Sequence, residues 1–441
     1  MKYITAFFCL IVLAFSVSAQ QTDEVLAAAN GQTFTVKNLS PEVQKLYADL
    51  PAAIAAVRKD LFTRIIADVL FETEAKAKNQ TIEKLLDDVR AKVPMPTDAQ
   101  IQAVYEANKA AIGDRTPAEV RPQIVAFLRR EPEQKALQNY VEILRQKYKT
   151  LPGKEVNSPN LKPTEILATI NGRTISVQEF EEKNKLEFYE LRANIYDRIK
   201  ADLEDAVYSD LLAAEAKSLN IAASDLMARE VTDKMREFSD EERFQLQNAL
   251  KNRLFAKYKV NFSLKEPTPI VQNIAADDDP AQGKPNAPVT VIMFSDFQCP
   301  ACAAVHPILK KIAAEYADKV RFVVRDFPLI NIHENAFSAA LAANAADKQG
   351  KFFEYSEILY RNQDKLDRAS LIKYAADLGL NTKRFELDLS DEKTAAEVRK
   401  DMADGKGYGI NGTPTVYVNG VKVRQLTAES FRNSIEKALK K

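Results

Sequence analysis

Two cysteines stand three positions apart, Cys299 and Cys302, in the stretch FSDFQCPACAAVHP (294–307). Thiols at this spacing can share a zinc ion, close a structural crosslink, or exchange electrons with another disulfide. Zinc takes four ligands, and the chain offers only His306 and His333 besides the cysteines. His306 follows Cys302 by four residues and could share its helix face, but His333 would have to arrive from beyond the next strand. A static crosslink over so short a loop constrains the unfolded chain little, and its small ring is easily reduced. The redox reading fits best. On that reading His306 is a polar residue on a half-exposed face and His333 opens a helical block. Asp296 either assists proton transfer near Cys302 or caps the turn that precedes Cys299.

The surrounding pattern says what holds the pair. VTVIMFS (289–295) is short, apolar and β-branched, and reads as a buried strand. Pro300 suits the first turn of a helix, where its missing N–H costs nothing. Val305, Ile308, Leu309 and Ile312 then recur with helical spacing. Cys299 is therefore expected at a helix N-terminus, where open N–H groups and the helix dipole favour a thiolate. Cys302 is expected one turn on and more shielded. VRFVVRDF (320–327) reads as a second strand, residues 335–407 as a helical block, and GINGTPTVYVNGVKVRQL (409–426) as strands with a hairpin at Asn419-Gly420. A terminal helix follows.

Residues 277–441 resemble the DsbA-type thioredoxin-fold oxidoreductases. The resemblance is carried by Ser295-Asp296-Phe297-Gln298-Cys299-Pro300-Ala301-Cys302, Asp326-Phe327-Pro328-Leu329, Gln349-Gly350-Lys351-Phe352, Gly412-Thr413-Pro414-Thr415 and Pro307. It implies a thioredoxin fold with a helical insertion over 289–441. Cys299 becomes the attacking cysteine and Cys302 the resolving one. It also implies a cis bond at Thr413-Pro414 that offers the Thr413 backbone to a substrate strand. Ala301 departs from the His or bulky aromatic common at that position. Pro300 and the helix start remain, so a depressed Cys299 pKa and a less extreme oxidant are expected. No cofactor is needed. The resemblance implies a quinone-linked membrane redox partner of DsbB or vitamin-K-epoxide-reductase type.

The rest of the chain is helix-rich in composition, and 62 basic side chains balance 62 acidic ones. That balance gives no support for a nucleic-acid partner. Lys2, the apolar run AFFCLIVLAF and Val17-Ser18-Ala19 read as a signal peptide over 1–19, removed with Cys9. An uncleaved anchor is the alternative. A soluble, exported, periplasmic-type product is expected, in a compartment that tolerates disulfides.

Two segments then match at an offset of 141: EVLAAANGQTFTV from Glu24 and EILATINGRTISV from Glu165. Each has an Asn-Gly turn, a long helical pattern reaching Glu-Ala-Lys (74–76 and 215–217) and a closing Lys-Tyr-Lys (147–149 and 257–259). The second copy lacks 31 residues of the first, the difference between that offset of 141 and the offset of 110 separating the Lys-Tyr-Lys runs. This order resembles, twice over, the N-terminal chaperone domain of SurA-type folding factors. It implies helical modules that hold unfolded clients; spacer modules are the alternative. The expected organisation is α+β and multidomain. Module 1 covers 20–150, a linker 151–164, module 2 165–263, a second linker 264–288 and the thioredoxin domain 289–441. The expected function is disulfide introduction or exchange in reduced, unfolded exported proteins. A disulfide isomerase or reductase, or a holdase with a mainly structural thioredoxin domain, are the alternatives.

Overall fold

The computed structural model describes residues 23–113 and 115–440. The expected signal peptide lies outside the described residues. The chain divides into two compact units between Pro267 and Thr268. Among the described residues no helix is long and apolar enough to cross a membrane.

The first unit holds strands β1 (Val25–Ala29), β2 (Gln32–Thr35), β3 (Leu151–Pro152), β4 (Ile166–Ile170), β5 (Arg173–Ser176) and β6 (Asn261–Phe262). Asn30 and Gly31, and likewise Asn171 and Gly172, take positive φ, the backbone of a two-residue hairpin turn. Long helices Pro41–Ala77 and Lys185–Ser218 follow the two hairpins. In each copy the Glu of Glu-Ala-Lys meets the Lys-Tyr-Lys segment. Glu74 accepts from Lys147 at 2.5 Å and Tyr148 at 2.6 Å, and Glu215 from Lys257 at 2.5 Å and Tyr258 at 2.7 Å. These repeat landmarks are thus one buried ionic link, made twice. The extra residues of the first copy carry the helix Asp98–Ala107, whose first turn is closed by a Thr97–Gln100 capping box.

The expectation of two modules in series is corrected by the packing. Hairpin β1–β2 buries Leu26, Ala27 and Phe34 against Leu203, Val207 and Leu211 of the second copy's helix. Hairpin β4–β5 buries Leu167, Ile170 and Ile175 against Ile65, Ile66 and Leu70 of the first copy's helix. The two copies exchange hairpins within one chain. The cause is local. After Lys147–Lys149 the chain runs straight into β3, which pairs with β4, and Asn171 N–H donates to the Tyr148 carbonyl at 2.9 Å. That keeps the second hairpin beside the first copy's helices. The first hairpin takes β6, which follows the second Lys-Tyr-Lys, as its third strand. The expected linker 151–164 is therefore partly built in. Val156 is buried, and a Cβ on Gly153 would stand 2.2 Å from the Ile166 carbonyl oxygen, so only glycine fits that approach.

The second unit adds β7 (Ala281–Gln282), β8 (Val289–Ser295), β9 (Val320–Asp326), β10 (Thr415–Val418) and β11 (Val421–Lys422), in the sheet order β11-β10-β8-β9-β7. β8 and β9 are parallel; every other pairing is antiparallel. The helix Pro300–Glu315 joins the parallel strands, and five helices between Ala336 and Gly407 form the block that the periodicity predicts. Alternate residues Val289, Val291 and Met293, with Val320, Phe322 and Val324, face the cysteine helix and this block. The intervening Ile292, Phe294 and Val323 pack on the other face. The second expected linker is corrected too. Val271 bridges to Val421, β7 pairs with β9, and Asp279 lies 2.9 Å from the buried Arg325 guanidinium. Residues from 268 onward thus belong to this unit.

The hairpin exchange is open to test by dissection. A 23–267 fragment is expected to melt cooperatively in circular dichroism. A 23–150 fragment lacks the helix that covers Leu26, Ala27 and Phe34, and is expected to show no cooperative transition. A monomeric 23–150 fragment with a sharp melt would contradict the exchange.

Candidate functional site

β8 ends at Ser295 and the chain turns through Asp296. The Asp296 carbonyl accepts from the Cys299 N–H at 3.1 Å, and its carboxylate accepts from the Gln298 N–H at 2.7 Å. Asp296 therefore caps the turn, one of its two expected roles. Cys299 is the N-cap of the helix, extended at φ −79°, ψ 119°, and Pro300 occupies the first helical position. The two cysteines are not joined in a disulfide. Cys299 is 7 % exposed and Cys302 0 %, so only Cys299 offers its sulfur toward solvent. Pro300 and Ala301 are exposed and form the rim.

The electrostatics split the pair. The Cys302 thiol donating to Cys299, then the N–H of Cys302, Thr413 and the N–H of Ala301, outweigh burial and bring the Cys299 pKa down to about 5. Burial, reinforced by the hydrogen bond to Cys299, pushes the Cys302 thiol far up. Cys299 is thus a thiolate at neutral pH and Cys302 a thiol. Cys299 Sγ lies 3.4 Å from the Thr413 carbonyl, and the Thr413-Pro414 peptide is cis. The Thr413 Oγ1 is buried without a hydrogen-bond partner, a donor available to a thiolate beside it. The structure brings Asp296, Cys299, Pro300, Ala301, Cys302, Thr413 and Pro414 to one place.

His306 is placed differently from the expectation of a half-exposed face. It is buried, with its ring 4.8 Å from that of Tyr360 and its Nδ1 without a partner, and burial lowers its pKa to about 4. It is a neutral packing residue on the buried face of the helix Pro300–Glu315. His333 does more than open the helical block: its Nδ1 lies 2.7 Å from Asp296 Oδ2, which also accepts from the Leu329 N–H at 2.9 Å. Asp296 therefore ties the 329–333 loop to the cysteine turn. Gln363 donates to the carbonyls of Phe297 and Cys299, both at 2.9 Å. Sequence reasoning missed Gln363, and no local pattern marks a residue that reaches back 64 positions. Among the described residues no group of three or more His, Cys, Asp or Glu side chains is arranged to hold a metal ion.

Residues 275–437 match the thioredoxin family model Thioredoxin_4. The C-terminal region is a thioredoxin-like domain. BdbD from Bacillus subtilis is 26 % identical, with 39 % of this chain and 99 % of that one covered and a TM-score of 0.36. A thioredoxin-like oxidoreductase from Silicibacter pomeroyi is 27 % identical over 37 % of this chain and 94 % of that one, at a TM-score of 0.35. Among curated proteins, Na(+)/H(+) antiporter NhaA 3 of Salinispora tropica is 39 % identical over 144 residues, 33 % of this chain. Na(+)/H(+) antiporter NhaA 1 of Mycolicibacterium gilvum is 32 % identical over 176 residues, 38 % of this chain. The matches span only 22 % and 28 % of those two relatives' lengths.

The thiolate assignment within the thioredoxin-like domain gives a pH prediction. Cys299 is expected to be alkylated by iodoacetamide with a midpoint near pH 5, reaching its plateau below neutrality. Cys302 in the folded protein is expected to stay unmodified throughout. Site-resolved mass spectrometry reads both. A Cys299 midpoint near the ordinary ~8.5, or equal labelling of both thiols, would contradict the assignment.

Proposed function

We propose that this protein is an exported thiol–disulfide oxidoreductase that acts on reduced or unfolded polypeptides. The observation that carries the reading is the asymmetric pair: a Cys299 thiolate at the helix start above a fully buried Cys302 thiol. A client thiolate attacks the Cys299–Cys302 disulfide at Cys299, the sulfur within reach. A second client thiolate then attacks the client's own sulfur in the mixed disulfide. Cys299 leaves as a thiolate, the species its surroundings stabilise. A low-pKa leaving group favours release of an oxidised client, which makes disulfide introduction the preferred direction. Reoxidation would come from a quinone-linked membrane partner of DsbB or vitamin-K-epoxide-reductase type. Export rests on the N-terminal apolar run and on the chemistry, since such pairs persist oxidised outside reducing compartments.

The helical unit is proposed to hold the client. It carries Met95, Phe127, Phe238 and Phe244 at 54 to 72 % exposure, apolar surface of the kind an unfolded chain can cover.

Two outcomes are expected. Cys302→Ser should accumulate a covalent complex with a reduced client, stable in non-reducing gels and lost on adding dithiothreitol. The full chain should also oxidise an unfolded client several-fold faster than a 268–441 fragment, while both react equally with oxidised glutathione. No trapped complex would count against the enzyme reading. Equal rates on the unfolded client would count against client holding alone.

A further inference from the structure

We propose that Gln363 is a positioning residue for Cys299: by donating to the Cys299 carbonyl, it weakens that carbonyl's hold on the Cys302 N–H and leaves this donor to the Cys299 sulfur. The proposal rests on the oxidoreductase reading above and gives the helical block a part in it.

The Cys299 carbonyl is the first acceptor of the helix Pro300–Glu315. It accepts from the Cys302 N–H at 3.1 Å, the Ala303 N–H at 3.2 Å and Gln363 Nε2 at 2.9 Å. A carbonyl oxygen has two lone pairs, so three donors oversubscribe it. Gln363 makes the shortest contact, and the Ala303 N–H stands at the ordinary helical spacing of four residues. The Cys302 N–H is the donor in excess. It has a second acceptor, because it also donates to Cys299 Sγ and favours the ionised form of that thiol. The carbonyl and the sulfur of one residue thus compete for one N–H. Ala301 brings no side-chain donor, so the sulfur depends on such backbone groups. Hydrogen bonds to an ionised acceptor are roughly twice as strong as neutral ones, so a donor released by the carbonyl goes to the thiolate.

Gln363 is held where it can do this. It lies just beyond the helix Phe352–Arg361, in a turn where the Lys365 N–H donates to the Asn362 carbonyl at 2.9 Å. The Tyr374 hydroxyl donates to the Lys365 carbonyl at 3.0 Å, and Leu366 is buried. The same amide nitrogen donates to the Phe297 carbonyl at 2.9 Å, so its two N–H groups meet two carbonyls across the cysteine turn. The Phe297 ring packs 5.1 Å from that of Tyr360, on the helix that Gln363 follows. A separate contact comes from the start of the block, where the Asn335 N–H donates to Gln298 Oε1 at 2.8 Å. The titratable groups that meet this turn are Cys302, Asp296 and, on the Asp296 carboxylate, His333.

The test titrates the reduced full chain and its variants across the acid and neutral range, reading thiolate formation by ultraviolet absorbance. Gln363→Met keeps the side chain's length and removes both donors. The Cys299 midpoint, near 5 in the parent, is expected to rise by about one pH unit, an ionisation about ten-fold weaker, as for one charge-assisted hydrogen bond partly lost. Gln363→Glu should raise it further, since an ionised carboxylate only accepts. Gln298→Ala removes the Asn335 contact but none of the donors to the Cys299 carbonyl, and should leave the midpoint where it is. A second reading needs no variant. With the chain isotope-labelled at cysteine, the Cys302 amide resonance of the parent should follow the Cys299 midpoint. A Gln363→Met protein that folds and keeps the parent's midpoint overturns the proposal and leaves the oxidoreductase reading standing. So does a parent Cys302 amide that ignores the titration. Equal rises in Gln363→Met and Gln298→Ala make Gln363 a mere brace and overturn it as well. A parent Cys299 with an ordinary thiol midpoint overturns the proposal together with the reading it rests on.

Discussion

The donors gathered at the start of the helix Pro300–Glu315 hold one negative charge on one sulfur, and the chemistry of the site follows from that charge. The backbone N–H groups of Ala301 and Cys302 at this open helix end both stabilise the sulfur, although that of Cys302 also donates to the Cys299 carbonyl at 3.1 Å. The Cys302 thiol adds a third donor, and together they outweigh the cost of burying Cys299. The charge requires the strand to stop at Ser295, the turn to close on Asp296, and proline to follow the cysteine without wasting an N–H. It also requires Cys302 to remain a thiol, which complete burial ensures. Asp296 links this geometry to the loop at 329–333 through Leu329 and His333, and Gln363 ties down the two carbonyls that flank Gln298. The sulfur is thereby fixed by groups from three separate stretches of chain.

The helical unit solves a different problem with the same economy. Each Asn-Gly hairpin is too small to bury its own apolar face, since an isolated two-stranded ribbon is marginal in water. Exchanging the hairpins gives each one a long helix from the other copy and an edge strand from the segment after a Lys-Tyr-Lys run. The Glu74 and Glu215 links close both arrangements in the same way. Neither half is complete alone, so residues before and after 150 are folded as one body.

What the sequence made legible was what is local. The strand, turn and helix around Cys299 lie within 27 residues, and each step has its own signal: β-branched residues, an Asp at the turn, Pro300, then apolar spacing. The three Asn-Gly hairpin turns, at 30–31, 171–172 and 419–420, have two successive positive φ values, whereas Asn411-Gly412, which joins no hairpin, does not. The failures are non-local. The two repeats are alike, so own and exchanged hairpins satisfy the same pattern, and only the short path from Tyr148 to β4 decides between them. The stretch at 266–288 is rich in proline and aspartate and reads as linker. Yet Asp279 is drawn into the sheet unit by Arg325, a buried cation 46 residues away that no window reveals. His306 sits in a sequence that suits a surface. Tyr360, on a different helix, covers it.

Equilibrium with glutathione measures the energetic consequence of the Cys299 charge directly. Stabilising the thiolate stabilises the reduced protein and makes the disulfide more oxidising. A Cys299 pKa near 5 lies between the ~7 of thioredoxin and the ~3.5 of DsbA. The oxidised and reduced full chain should interconvert in a single two-electron transition of the Cys299–Cys302 pair. Its potential should fall between about −270 mV and about −120 mV. A pair that stays oxidised to below about −270 mV, or that forms only mixed disulfides without closing on itself, would contradict the stabilised thiolate.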